Sequence, residues 1–431
     1  MDSCVAFPRN LVEKEVDGYF VVLAPNYPNW LVLTRTEYRM FVFLKNGTIR
    51  NAMERYFRGY FQDENTCLAI MTGLLTQIQE TNFYRTASAR REIPIEKIEK
   101  RVHLCVTNNC NLRCIHCYMS AGMKPVQNID VGSVVRLLDE LREKSGKLEI
   151  VVSGGEPLIF AEIYELLEAL RNDSVILFTN GTMISKRNVE HIVACCDEVQ
   201  ISIEGVSQPV YEQVRGEGNY VKMLRALDLL MEYQMRIVLA VTVLPNTLRD
   251  IKENLLEFVK RLKYQHLEIR LNSTIEKTGN ARFMDFSGYD VRKVTTELRK
   301  VLQELCKFGC VVQRGENRNI QFTNCGIGTN LVIDCDGRIY PCHKFSDIHL
   351  SLKNSCKDII CSFNKINRET SNDKIEKCRF CELRCICSGG CRIDNYLQNG
   401  DLKVVSCDET YKMRQYSRLV QDYLMEHMGE I

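Results

Sequence analysis

The sequence lacks any apolar run near the length of about 18 residues that a membrane-spanning helix needs. It also lacks an excess of one charge, since 57 basic and 55 acidic residues leave a formal net charge of only +2. Proteins that bind polyanions or membrane surfaces generally carry a clear basic excess, so we expect neither nucleic acid nor a membrane as a partner. Residues 1–9 show no basic region followed by an apolar core, so we predict no signal peptide and a cytoplasmic location.

Cysteine, in contrast, is abundant. The chain has 21 cysteines among 431 residues, and 11 of them lie from Cys325 onward. In a cytoplasmic protein this density indicates metal binding or redox chemistry rather than structural disulfides. The length allows two or three domains, and the composition, with 45% hydrophobic and 26% charged residues, is that of an ordinary globular protein.

The stretch Cys110-Asn-Leu-Arg-Cys114-Ile-His-Cys117 is the first place where thiols are closely spaced. It follows an apolar run, 102–106, that is typical of a strand, so the three thiols lie in a loop just after a strand end. Thiolates favour zinc, copper or iron–sulfur clusters, and a structural zinc site usually has four protein ligands. Three thiolates leave one metal position open, as an iron–sulfur cluster with a labile corner would.

Strands and helices alternate from Arg101 to about Gly309. Helical stretches of 10–15 residues between strands predict βαβ units and a parallel sheet, here six units of a partial (β/α)6 barrel. In such sheets ligands bind at the carboxyl ends of the strands. The predicted strands are 102–106, 148–152, 175–179, 199–203, 237–243 and 266–271.

Several motifs follow these predicted strands directly. Ser153-Gly-Gly-Glu-Pro157 follows the second strand, Thr179-Asn-Gly-Thr182 the third, and Ser202-Ile-Glu-Gly205 with the later Arg215 the fourth. Glycines without side chains allow close backbone approach, and Glu156 supplies an anion for an ammonium group. Taken alone, these segments could be ordinary turns. Their positions predict that they meet the cysteine loop at one edge of the sheet.

Together, Cys110, Cys114 and Cys117 with the Gly154–Pro157 segment resemble the radical S-adenosylmethionine (SAM) enzymes. The resemblance implies that the three cysteines hold a 4Fe–4S cluster whose open iron binds SAM, and that the cluster cleaves SAM to a 5′-deoxyadenosyl radical. It further implies SAM contacts for Gly154, Gly155, Glu156, Pro157, Asn180, Ser202, Glu204 and Arg215. Glu204 stands where aspartate is more common in the family.

Residues 1–90 are predicted to form a separate module of a hairpin followed by three helices. The strands are Gly18–Leu23 and Trp30–Leu33. This pattern resembles the PqqD-like leader-recognition domain, in which the leader of a precursor peptide adds as a strand to the hairpin edge. The alternative is a small helical cap with only a packing role. Residues 85–100 form a charged connector at the first domain boundary, and the radical SAM core is predicted over residues 91–310.

The C-terminal segment, 311–431, carries a second cysteine pattern. Zinc ribbons share such pairs of cysteines, but the complete spacing resembles the SPASM domain with its auxiliary 4Fe–4S clusters. By that resemblance, one cluster is held by Cys378, Cys381, Cys387 and Cys407, and three ligands of another are Cys325, Cys342 and Cys391. The family's fourth cysteine is missing, because Asn319, Ile320 and Gln321 occupy the nearby positions. Cys310 or Cys335 could replace it, or the site is open.

The combined resemblance is to a SPASM-type maturase of ribosomally made peptides. It implies an oxidoreductase that installs an intrapeptide cross-link, with a cysteine thioether favoured, and that takes electrons from a flavodoxin or ferredoxin. Carbon–carbon cross-linking and epimerisation remain open. An anaerobic sulfatase maturase is disfavoured because that family has aspartate after the cysteine matching Cys342, where this chain has His343. A zinc-containing peptide-binding protein would leave the Gly154–Pro157 segment unexplained.

Overall fold

A computed structural model describes residues 2–25, 28–60, 63–84, 100–312, 322–344 and 347–426. The predicted charged connector lies outside these ranges except for Lys100, as do Asn319, Ile320 and Gln321. None of the helices within the described ranges combines the length and the apolar character needed to cross a bilayer.

The chain divides into two compact units. The terminal unit falls within residues 1–96, 314–327 and 366–431, and the α/β unit within 97–313 and 328–365. The division into domains 1–90, 91–310 and 311–431 stays a prediction.

The α/β unit is built on a ten-stranded sheet with the order β10-β9-β8-β7-β6-β5-β4-β11-β12-β13. Strands β4 to β9 pair in parallel in chain order, as expected for successive βαβ units. All six predicted strands are present, with bounds shifted by one residue, and the α/β fold with a parallel sheet is confirmed. The six strands are β4 Arg101–Cys105, β5 Glu149–Ser153, β6 Ser174–Thr179, β7 Glu198–Ile203, β8 Arg236–Thr242 and β9 Leu267–Asn272.

The segments that follow these strands form helices, and their apolar residues recur at helical spacing on one buried face. In α4, Val134, Leu138 and Leu141 are buried at helical spacing, and the Asp130 carboxylate caps the helix by accepting from the Ser133 amide. The helices between Val131 and Glu369 are α4 Val131–Ser145, α5 Ile163–Leu170, α6 Val189–Cys195, α7 Gln208–Arg215, α8 Asn219–Glu232, α9 Leu248–Leu262, α10 Val291–Lys307 and α11 Cys356–Glu369.

A hairpin extends the sheet beyond β4. It turns at Asp336-Gly337, an Asp-Gly pair typical of tight hairpins, and Gly337 has the positive φ of 80° that this turn needs. Its first strand pairs in parallel with β4, with Ile333 opposite Leu104. The remaining strands of the sheet are β10 Val311–Val312, β11 Leu331–Ile333, β12 Arg338–Tyr340 and β13 Leu350–Ser351.

The terminal unit contains a three-stranded antiparallel sheet with three helices packed on one face. The sequence predicted two strands and three helices, and the structure adds a strand, β1, before them. The missed strand, Val-Glu-Lys-Glu-Val, is short and mostly charged, so it gave little strand signal. The elements are β1 Val12–Val16, β2 Tyr19–Ala24, β3 Asn29–Leu33, α1 Arg35–Lys45, α2 Ile49–Tyr60 and α3 Glu64–Glu80.

The other face of this sheet packs against the C-terminal helix. Trp30 and Val32 of β3 share a buried cluster with Leu383, Tyr416 and Leu419. Trp30 is therefore a core residue. The C-terminal helices are α12 Glu376–Arg379, α13 Arg384–Cys387, α14 Arg392–Asn399 and α15 Glu409–Glu426.

We expect Leu419→Ala to lower the free energy of unfolding of the terminal unit by about 2–5 kcal/mol, because it removes buried methyl groups and leaves a cavity. Urea denaturation followed by tryptophan fluorescence reports this unit, since the single tryptophan is Trp30. Arg418→Ala on the exposed side of α15 is the matched control, with an expected change of about 0–1 kcal/mol. Equal effects of the two variants would show that α15 is not part of this core.

Candidate functional site

A cavity of about 470 Å³ opens at the carboxyl ends of the parallel strands. Eight of the residues singled out from the sequence line it, which brings together the loops after β4, β5, β6 and β7. They are Cys110, Cys114, Cys117, Gly154, Gly155, Asn180, Ser202 and Arg215.

The cysteine loop is held by hydrogen bonds to its sulfur atoms and carbonyls. The Leu112 amide donates to Cys110 Sγ and the Ala121 amide to Cys117 Sγ, each at 3.4 Å. Amide–sulfur bonds of this kind stabilise thiolates and orient them. The three thiols therefore face one cavity in an ordered loop.

The segment after β9 supports the same loop, and sequence analysis missed it. The Asn280 amide donates to the Cys117 carbonyl at 2.8 Å, and its side chain donates to the Cys114 carbonyl at 3.0 Å. Gly279 has a φ of 55°, and a β-carbon there would collide with the Tyr118 carbonyl. Because 166 positions separate Asn280 from Cys114, no local pattern could have revealed the contact.

Gly154 and Gly155 bring the second loop against the cysteine loop. A β-carbon on Gly154 would collide with the Thr107 carbonyl, and one on Gly155 with the Asn109 carbonyl. Their backbones bond instead: the Gly155 amide donates to Thr107 at 2.7 Å and the Glu156 amide to Asn109 at 2.9 Å. The glycines thus allow a close approach, here of one loop to the other.

Glu156 is fully buried beneath this contact. Its carboxylate accepts hydrogen bonds from the Thr179 hydroxyl at 2.7 Å, the Asn180 amide at 2.8 Å and the Leu158 amide at 3.1 Å. Burial raises the pKa of Glu156, and these donors partly offset that effect. In this geometry Glu156 ties the loop after β5 to the end of β6. Its role opposite an ammonium group stays a prediction.

The Asn180 side chain connects the third loop to the cysteine loop. Its amide donates to the Asn111 side-chain oxygen at 2.9 Å, and Asn111 donates to the Thr182 hydroxyl at 2.8 Å. The Asn-Gly turn after β6 is therefore fixed beside the cavity. A contact between Asn180 and the adenosine of SAM stays a prediction.

A buried ion pair lies beside Cys114. The Arg215 guanidinium binds the Glu204 carboxylate through two nitrogens, one of them at 2.7 Å, and His116 Nε2 lies 3.2 Å from the same carboxylate. Burial alone would raise the pKa of Glu204, but Arg215 and His116 outweigh it and hold the pKa at about 2. Arg215 therefore stays charged at the cavity wall, and Glu204 is the group that holds it. Contacts of Glu204 and Ser202 with the ribose stay predictions.

Burial also acts on the thiols. It raises the pKa of Cys110, and it raises that of Cys114 to about 11 despite the nearby Arg215. Metal ligation requires thiolates, so a metal bound by Cys110 and Cys114 must displace the protons of these two thiols. The chemistry of the donor set, three thiols converging on one cavity, fits an iron–sulfur cluster.

Two imidazole rings, those of His103 and His343, are in contact in the α/β unit. His103 lines the cavity, interacts with the Ser153 hydroxyl and packs edge-to-face on His343, with ring centroids 4.3 Å apart. Burial, with a smaller contribution from His343, lowers the pKa of His103 to about 3. Burial also lowers the pKa of His343. Both rings are therefore neutral near pH 7. Sequence analysis did not predict their contact, because 240 positions separate the two residues (343 − 103).

A second cavity, of about 220 Å³, lies in the terminal unit. It is lined by the four cysteines predicted to hold one auxiliary cluster, Cys378, Cys381, Cys387 and Cys407. Burial raises the pKa of Cys378 to about 11 and that of Cys381 to about 12. The cationic side chains of Lys377, Arg384 and Lys412 line the same cavity and are suited to offset the charge of a thiolate cluster.

The other predicted auxiliary set is divided between the units. Cys325 and Cys391 belong to the terminal unit and Cys342 to the α/β unit. This second ligand set stays a prediction.

The family described as the radical SAM superfamily matches residues 104–259, which include the whole Cys110–Cys117 loop and the Gly154–Pro157 segment. Residues 104–259 therefore form a radical SAM domain. A 4Fe–4S cluster and SAM are the cofactors that such a domain implies.

Two relatives share parts of this sequence. The mycofactocin maturase MftC of Mycobacterium ulcerans is 31% identical over 126 residues, 28% of this chain and 34% of that protein. The subtilosin biosynthesis protein AlbA of Bacillus subtilis is 23% identical over 249 residues, 56% of this chain and 54% of that protein. The matches thus span about a third and about half of these two relatives.

The fold is similar to that of SuiB from Streptococcus suis over nearly the whole chain. The structure of SuiB bound to its precursor peptide SuiA has a TM-score of 0.57 at 14% identity, covering 94% of this chain and 99% of SuiB. This similarity shows a shared fold.

We expect Arg215→Met to lower the free energy of unfolding by about 3–5 kcal/mol at pH 7, because it leaves the Glu204 carboxylate buried without its partner. The folded pKa of Glu204, about 2, is below its ordinary value of 4.5, so the pair stabilises the protein above pH 4.5 and that contribution is lost as pH falls towards 2. The difference between wild type and variant should therefore narrow over this range, measured by urea denaturation.

Arg171→Met, which removes the exposed ion pair with Glu168, is the control and should change stability by about 0–1 kcal/mol at any pH. A difference for Arg215→Met that stays constant with pH would contradict the assignment of charge to Glu204.

Proposed function

We propose that this radical SAM enzyme modifies a ribosomally made precursor peptide, and that the product is an intrapeptide cross-link, with a cysteine thioether favoured. The observation that supports it most is the convergence of Cys110, Cys114 and Cys117 on a cavity walled by the glycine loop and Arg215. MftC, AlbA and the peptide-bound SuiB point to a peptide as the substrate class.

We assign a role to each group predicted to bind the cluster or SAM. The three thiolates would hold a 4Fe–4S cluster, and Arg215, kept charged by its pair with Glu204, would attract the SAM carboxylate. Gly154, Gly155, Glu156 and Pro157 would shape the pocket for the methionine part of SAM, and Asn180 and Ser202 the part near the adenosine. When bound, cluster and SAM supply an electron and a 5′-deoxyadenosyl radical, which removes a substrate hydrogen.

The contact of His103 with His343 bears on the alternative of a sulfatase-type maturase. Where such enzymes have an aspartate after the cysteine matching Cys342, this chain places an imidazole packed on a cavity-lining ring. Because residue 343 is histidine, a neutral imidazole stands where those enzymes have a carboxylate. Carbon–carbon cross-linking and epimerisation use the same cofactors and are separated from a thioether by experiment.

The auxiliary cysteines complete the proposal. Cys378, Cys381, Cys387 and Cys407 would hold one auxiliary cluster, and Cys325, Cys342 and Cys391 would give three ligands to a second. Such clusters are suited to accept the electron released when a substrate radical forms a new bond. A flavodoxin or ferredoxin would deliver the electron that starts the reaction.

The three-stranded sheet is the proposed docking site for the leader of the precursor. Val16 and Tyr19 flank a two-residue turn and form a hydrogen-bonded pair, so the backbone groups of Glu13 and Glu15 point away from β2. On β3 the Val32 carbonyl already accepts from the Gln77 side chain, and the Trp30 amide donates to the Asn29 side chain. The leader would therefore add along β1.

Iron, sulfide and SAM-cleavage measurements test the first step. Anaerobically reconstituted wild-type enzyme should contain a SAM-binding cluster and release 5′-deoxyadenosine with a reductant, whereas Cys114→Ala should lose this release because a cluster ligand is gone. Cys196→Ala removes a buried thiol away from the cavity and should retain it. Stoichiometric zinc with no iron–sulfur absorbance would refute the proposal.

The mass of the peptide product separates the reactions. With SAM, reductant and a cysteine-containing precursor, a thioether cross-link removes two hydrogens per event and blocks one thiol from alkylation. A loss of two hydrogens with every thiol still alkylated indicates a carbon–carbon link. Unchanged mass in water with solvent deuterium uptake indicates epimerisation.

Glu15→Pro tests leader docking, because proline removes the outward amide without altering the β2 pairing. We expect leader-peptide affinity, measured by fluorescence anisotropy, to fall about 10-fold relative to Glu15→Ala, which removes the same ion pair with Arg35 but keeps the amide. Equal affinities would exclude β1 as the docking edge. A point variant is preferable to deletion of residues 1–90, which would expose Leu383 and Tyr416.

A further inference from the structure

Two thiols and a carboxylate meet at the junction of β4 and β11, and this contact gives Cys335 a different set of neighbours from the auxiliary cluster considered for it above. Cys105 ends β4, and Asp334 and Cys335 follow β11. One donor atom from each, two sulfurs and one oxygen, lie within 4.8 Å of one another. The parallel pairing of Ile333 with Leu104 brings the residue after β11 level with the end of β4.

We propose that Cys105, Asp334 and Cys335 form a binding site for a single thiophilic divalent ion of the zinc class. This site is separate from the cluster sites of the proposed function and does not depend on that function.

The separation of the donors fits one ion. Zinc binds thiolate sulfur at about 2.3 Å and carboxylate oxygen at about 2.0–2.2 Å, so tetrahedral donors are about 3.5–3.8 Å apart. The observed set needs a contraction of only about 1 Å to reach this geometry. An iron–sulfur cluster, whose thiolates bind different irons, needs its sulfurs farther apart.

The surroundings make a cation favourable. Both cysteines are buried, with 8% and 5% of their surface exposed, so their thiolates would have little water to stabilise them. The hydrogen bond with Cys335, burial and the Asp334 carboxylate raise the pKa of Cys105 well above its usual range. A divalent ion would displace two thiol protons and reduce the charge of the ionised set from −3 to −1.

The local backbone orders this set. The Cys335 amide donates to the Asp334 carboxylate at 2.8 Å, and the Asp334 amide donates to the Arg338 carbonyl across the hairpin, also at 2.8 Å. A bound ion would join the β11–β12 hairpin to the strand that leads into the Cys110 loop. Three protein donors leave the fourth position for water.

Another donor group provides an internal comparison. Glu168, His191 and Cys195, on α5 and α6, also lie within 4.8 Å of one another. In this group the Glu168 carboxylate is already bound to Arg171 at 2.7 Å and is half-exposed. Zinc at that position would have an imidazole ligand, which the Cys105 set does not supply.

X-ray absorption spectroscopy at the zinc edge tests the site. The sample is the anaerobic holoenzyme with its clusters in place and one equivalent of zinc added. We expect one zinc per chain with two sulfur and two oxygen neighbours and no imidazole scattering. Cys335→Ser and Asp334→Asn should each weaken zinc binding roughly 100-fold, since each removes a ligand. Asp334→Asn keeps both thiols, so it remains informative if Cys335→Ser misfolds.

Cys196→Ser and His191→Ala are the controls and should retain the zinc. Four sulfur neighbours would place the ion in the cluster cysteines, and imidazole scattering lost in His191→Ala would place it between α5 and α6. Either result overturns the proposal. So does a holoenzyme that binds no zinc, whether its Cys105 and Cys335 are free thiols or have lost two hydrogens as a disulfide.

Discussion

The close backbone contact between the loops after β4 and β5 is the constraint on which the cavity depends. Gly154 and Gly155 lie against the carbonyls of Thr107 and Asn109, where any β-carbon would collide. The hydrogen bonds across this contact fix the start of the cysteine loop, and Glu156, buried below, ties the same segment to β6. One contact between two turns thus sets the positions of three strand ends.

Burial determines the charge states of the groups at the cavity wall. Glu204 and Arg215 are almost fully enclosed, and such a pair persists only because each satisfies the other. The result is a guanidinium held at the cavity wall and a thiol, Cys114, whose proton is difficult to remove without a metal. Such a site attracts an anionic ligand through Arg215, whereas a metal bound by Cys114 must displace the thiol proton.

The sequence was sufficient for whatever follows from periodicity and from residues close along the chain. The six parallel strands, the three N-terminal helices and the gathering of eight predicted residues around one cavity belong to this class. Contacts between distant segments were not accessible in the same way. Asn280 binds the carbonyl of Cys114, 166 positions earlier, His103 meets His343 across the sheet, and Cys105 meets Cys335. Strand order rather than local pattern decides these neighbours.

The terminal unit contains segments from both ends of the chain, and this has a consequence for its folding during synthesis on the ribosome. The face of the first sheet that carries Trp30 and Val32 is covered by α15, which begins at Glu409. Between Leu33 and Glu409 the ribosome must add 376 residues (409 − 33), which takes roughly 20 to 75 s at about 5–20 residues per second. During that interval the nascent sheet exposes an apolar face. The terminal unit is therefore the last to be completed, and a chain released early would keep that face open to other molecules.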